Sequence, residues 1–259
     1  MRRRPVIIAL LAVLAFVGAS ASQAAVLQEG NLRVKFDADF NPHALPRQHP
    51  APVQIKVSGS IGTTDGSHPP ALRWLEVELN RAGKLATAGL PVCSASRLQS
   101  TTTSQALSRC RPALIGHGNF RAVVALEGDV PTGGKILVFN SRFDGKPALL
   151  LHFFAAVPAR FTLVVPLRIA QTSKGEFGTL LRTRVPRLAG GLASITRIDL
   201  TVGRRYSFRG KRRSYLSAAC SAPPGINFVP FNFARIRMRF ESHAKVESIL
   251  PGFCRVRPT

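Results

Sequence analysis

The chain has 259 residues and carries 36 Lys and Arg against 13 Asp and Glu, a net charge of +23. Its length fits one large β domain without a second unit. A charge of that size draws polyanions toward the surface and says nothing about fold.

Residues 1–25 have the pattern of a secretory signal peptide: Arg2-Arg3-Arg4, an apolar run from Pro5 to Ala19, then small residues through Ala25. The apolar run is shorter than the ~20 residues a spanning helix needs. The expectation is therefore removal of the leader, with the exported chain beginning near Ser22 or Ala25 and no transmembrane segment left. Removing residues 1–25 takes away three arginines and no acids, so the remaining domain, 26–259, has a net charge of +20. No cysteine lies near the cut, which speaks against a lipoprotein anchor. The expected location is secreted, extracellular or associated with the cell wall.

From there period-two alternation dominates, in short segments separated by Gly, Pro, Asn and Asp, and that is the signal of strands. Leu32, Val34, Phe36, Ala38 and Phe40 share one face of a half-buried strand, with Arg33, Lys35, Asp37 and Asp39 on the other. Pro42, Pro46, Pro50 and Pro52 force an extended crossing before Val53, Ile55 and Val57 resume the pattern. Residues 73–81 turn Leu75, Val77 and Leu79 inward and Trp74, Glu76 and Glu78 outward. The stretch 94–109 lacks alternation and is where one short helix is expected. Strands follow over 120–126, 135–143, 148–157, 161–169, 177–185 and 195–202, with hairpin turns at Asp144-Gly145 and Lys174-Gly175. Residues 231–240 alternate with a phase slip near Ala234, the mark of a bulge. The fold class expected is all-β: a two-sheet antiparallel β-sandwich first, a closed β-barrel second.

Cys93, Cys110, Cys220 and Cys254 form an even set in an exported chain, which favours disulfides, and four cysteines allow three pairings. Proximity favours Cys93 with Cys110 and Cys220 with Cys254. Neither spacing is that of a structural zinc site.

Phe36-Asp37-Ala38-Asp39-Phe40, Gly62-Thr63-Thr64-Asp65-Gly66, Gly89-Leu90-Pro91-Val92-Cys93, and Cys220 before Pro223-Pro224-Gly225 resemble a family of exported proteins of high-GC soil actinobacteria with no assigned function. The resemblance implies export and a single domain; it supplies no activity and no catalytic residues.

Motifs for chemistry are weak. Asp37-x-Asp39-x-Asn41 begins like a calcium loop, but Pro42 stands where Gly is needed and Gln48 where a bidentate Glu is needed. Gly128 to Lys135 approaches a phosphate loop, with Gly134 in the place of the required Lys. The six histidines have no metal spacing, and His152, within a strand apolar on both faces, reads as a core residue. Trp74 beside Glu76 and Glu78 would suit a sandwich-type carbohydrate hydrolase, although cross-strand ion pairing explains two outward glutamates more simply in a chain with so many spare arginines. No catalytic residue, metal or cofactor is assigned.

The densest cluster is Arg204, Arg205, Arg209, Lys211, Arg212 and Arg213, flanked by Tyr206 and Tyr215, around a hairpin tip. Arginine suits bidentate contact with phosphate, and an aromatic neighbour suits stacking. The sequence therefore points to a non-enzymatic binding or structural protein of the cell envelope, with a cationic face for an anionic wall polymer or other polyanion. The alternative is the secreted hydrolase.

Overall fold

The computed structural model describes residues 24–173 and 175–257, so the leader lies almost wholly outside the described residues. In chain order the strands are β1 (Ala25–Glu29), β2 (Leu32–Asn41), β3 (Ala44–Leu45), β4 (Ala51–Pro52), β5 (Gln54–Thr63), β6 (Leu72–Asn80) and β7 (Gly83–Leu85). Two helices follow, α1 (Ala95–Leu98) and α2 (Thr103–Cys110). Then come β8 (Leu114–Ala125), β9 (Asp129–Phe143), β10 (Lys146–Ala155), β11 (Phe161–Gln171), β12 (Phe177–Arg184) and β13 (Ala193–Val202). The chain ends with β14 (Arg205–Phe208), β15 (Lys211–Ser214), β16 (Leu216–Ala218), β17 (Phe228–Phe240) and β18 (Lys245–Val256).

Thirteen strands join in one sheet, in the order β1-β2-β5-β13-β8-β9-β10-β11-β12-β6-β17-β18-β3. All its ladders are antiparallel except the short β18–β3 pair. The sheet curls until β1 lies beside β18, where the Glu29 carboxylate accepts the Lys245 N–H at 2.7 Å. Continuous pairing is why two separate facing sheets are not seen: no break divides the main ladder into halves. Each strand leans on the next with the usual right-handed twist, and so many strands accumulate enough rotation to bring the ends together. The inward alternation places Phe36, Ala38, Val77, Ile136, Val138, Leu167, Ile198 and Met238 inside the curl. Arg33, Lys35, Arg121, Lys135, Arg182 and Arg184 are exposed on its outside. Apolar inside and charged outside is the reverse of a membrane-spanning barrel.

Turns at one end, the upper one here, include Gly30 and residues 126–128, 156–160 and 241–244. Two connections cross that mouth because they join strands far apart in the sheet. Residues 64–71 run from β5 to β6, tethered midway where His68 Nδ1 meets Asp129 Oδ1 at 2.5 Å, and Pro69 is buried. Residues 185–192 run from β12 to β13, tied by Arg187 to Glu241 at 3.0 Å, with Leu188 buried. The lower mouth is filled by a small sheet, β4-β16-β7, and by the buried Tyr215 and Leu216.

The helical expectation is met by two helices rather than one. Thr102 caps α2 by accepting the Gln105 N–H, and the Gln105 side chain accepts the Thr102 N–H in return, a reciprocal capping box. Disulfides join Cys93 to Cys110 and Cys220 to Cys254. The phase slip near Ala234 is a register shift against β18 between Asn232 and Ala234. Among the described residues no helix is long and apolar enough to cross a membrane.

Candidate functional site

A curl of this many strands encloses more space than side chains from its walls can fill. The residue is an interior cavity of about 210 Å³, walled by aliphatic and phenylalanine side chains from nearly every long strand. Leu75, Val77, Leu79, Leu151, Leu181, Ile198 and Leu200 point inward yet are only half-buried, because they border this empty space rather than one another. Thr196, Arg197 and Tyr215 are the polar residues of the lining. Empty apolar space inside a protein is unfavourable, because the atoms that line it lack van der Waals partners on one side. The wall offers an occupant dispersion contacts and removal of apolar surface from water, and almost no hydrogen bonds; a hydrocarbon matches it.

Tyr215 forms part of the floor. It is fully buried, its hydroxyl lacks a partner among the described residues, and burial pushes its pKa up. A stacking role on an exposed surface, expected from its place next to the basic cluster, is therefore closed to it. The other cluster residues divide in two. Arg204 turns back and donates from Nη1 to the carbonyls of Pro112 and Leu114 at 2.6 and 2.8 Å, fastening the start of β8. The Tyr206 hydroxyl donates to the Ala88 carbonyl at 2.9 Å. Arg205, Arg209, Lys211, Arg212 and Arg213 are exposed on the β14–β15 hairpin. Its tip, Arg209-Gly210, has positive φ at both positions, a tight two-residue turn. Phe208 lies against Gly89, with the Arg209 and Arg213 guanidinium groups over its ring at 5.2 and 6.0 Å.

The candidate hydrolase face is occupied by arginines. β17 lies against β6 so that Arg235, Arg237 and Arg239 stand opposite Glu78, Glu76 and Trp74. Arg237 Nη1 is 2.7 Å from Glu76 and 3.2 Å from Glu78, Arg235 is 3.3 Å from Glu78, and Arg239 covers the Trp74 ring at 4.8 Å. Both carboxylates are held in ion pairs with these arginines. Asp39 of the calcium-like run is 3.4 Å from His43. His152 is buried beneath α1 and α2, its Nε2 3.0 Å from both the carbonyl and the hydroxyl of Thr101. Gly133 and Gly134, from the phosphate-loop-like stretch, have a backbone role: a Cβ on Gly134 would sit 1.9 Å from the Phe154 carbonyl oxygen.

Alternation in the sequence identifies which side chains face inward. It carries no information about how far apart opposite walls stand, and the cavity is a property of that distance. Comparison of the chain with protein-family models, with curated proteins and with solved structures finds no match.

Proposed function

We propose that this is an exported, non-enzymatic binding protein that holds a hydrocarbon-rich small molecule inside its curled sheet. The apolar cavity carries the reading, because its wall is almost entirely hydrocarbon and an empty apolar space is unfavourable. Export is supported by the leader pattern and by two disulfides, which persist in oxidising compartments. The test is uptake of an apolar fluorophore, N-phenyl-1-naphthylamine, by the mature protein and by two variants that fill the void, Val77→Phe and Leu200→Phe. Wild type should enhance the dye's emission with saturation, and both variants should lose at least tenfold in affinity while melting no lower than wild type. Equal binding by all three would place the dye elsewhere and remove the reading.

A second activity, attraction of an anionic wall polymer, is favoured by the five exposed cations along the β14–β15 hairpin. That hairpin is at the lower end and the cavity is inside, so the two readings are compatible.

A further inference from the structure

We infer that the ligand of the cavity is an anionic amphiphile, with its charged end held at a seam between β5 and β13 by Arg197. This rests on the cavity being a ligand site and adds what the ligand is and where it emerges.

The β5–β13 ladder runs from Ile55↔Val202 to Ser60↔Arg197 and stops, although β5 continues to Thr63 and β13 begins at Ala193. The local cause is a bulge: against β8 the register of β13 shifts between Ile195 and Arg197, with Thr196 as the extra residue. A bulge bends its strand and ends pairing on one side. Above it, β13 is held by β8 alone. Ile61 from one lip and Ile195 and Thr196 from the other all belong to the cavity lining. The apolar chamber thus reaches the break in its wall at the point where polar lining residues stand. An amphiphile cannot bury its polar end in hydrocarbon without a large cost; a break beside polar groups lets the chain stay inside and the head meet water.

Charge supplies the second observation. Residues paired across a ladder share a face, so Lys35, Ser60, Arg197 and Arg121 make one row on the outer surface across β2, β5, β13 and β8. This row is the last rung of the β5–β13 ladder, the lip of the seam. Arg33 is on the same face of β2, opposite Gly62 beside the opening. On the same face, one row further down, stand Asp37 and Asp199. Asp199 accepts from Arg197 Nε and Nη2 at 2.7 and 3.0 Å. That pairing engages Nε and Nη2 of a guanidinium whose side chain is 49 % exposed; the donors on Nη1 are not used by Asp199. Four cations against two acids, beside an aliphatic chamber, fit a fatty carboxylate or another single-headed oxyanion on a chain.

The experiment is displacement of bound N-phenyl-1-naphthylamine by dodecanoate, its methyl ester and dodecanol, in wild type, Arg197→Gln and Arg197→Lys. Wild type should release the dye at about five- to tenfold lower dodecanoate than ester or alcohol, with the preference shrinking at high salt. Arg197→Gln should bring the three ligands within twofold of each other by weakening dodecanoate more than the ester or the alcohol. Arg197→Lys should recover part of the preference. Equal displacement by all three ligands in wild type would overturn the anionic end while leaving the cavity as a binding site. Failure of every ligand to displace the dye, or of the dye to bind, would overturn both.

Discussion

His152 is a buried imidazole whose ordinary pKa of 6.5 is lowered by desolvation, partly opposed by the Thr101 carbonyl. In the folded chain it stays neutral, donating from Nε2 to that carbonyl. The unfolded chain protonates it near pH 6.5 and so binds more protons below that pH. Stability should therefore be unaffected by this group above pH 6.5 and fall as the pH drops below it. His152→Gln retains an N–H donor and removes the titration. Its melting temperature should fall less than wild type's between pH 7.5 and 5.5; parallel decreases would assign the acid sensitivity elsewhere. The core role of His152 was readable from its place in a strand apolar on both faces. The fate of Tyr215 was not. The tyrosine follows a run of exposed arginines, and only the turn of the chain under the lower mouth makes it a floor residue.

At the scale of elements, the β14–β15 hairpin presents its cations on a rigid two-residue turn, anchored at its base by Arg204 and Tyr206. Replacing Arg209, Lys211, Arg212 and Arg213 by Gln should weaken retention on an anionic polymer such as heparin-type resin and flatten its salt dependence, since fewer counterions are released on contact. The melting temperature should change little, because exposed charges contribute ~0–1 kcal/mol each. An unchanged elution salt would remove the hairpin as the contact. The strands themselves were largely legible: alternation predicted β2, β6 and β17, a run apolar on both faces predicted β10, and the outward glutamates of β6 do meet arginines across the ladder. β18 was missed because Pro251 and Gly252 interrupt its pattern, although β17 pairs with it on both sides of that point. The closing of the sheet was beyond local signals, since it depends on which distant strands become neighbours.

For the whole molecule, an occupant that binds only the folded state adds its binding energy to stability, about 2.7 kcal/mol at a hundredfold excess over Kd. Protein stripped of apolar molecules by organic extraction should melt several degrees lower than protein as isolated, and dodecanoate should restore the difference. Native mass spectrometry of the isolated protein should show the guest as added mass. Identical melting before and after extraction, with no added mass, would mean that the chamber is carried empty.

The contact between β1 and β18 has a consequence in time. Glu29 and Lys245, which meet at that closure, are 216 residues apart. Pairings so distant in sequence form late, because the loop entropy must be overcome before they contribute. A ribosome or translocation channel releasing this chain from its N-terminus holds back the last strand of the wall until nearly everything else has emerged. The chamber is then completed only where release is completed. Under the proposed export, whatever enters it is drawn from the surroundings of the finished protein.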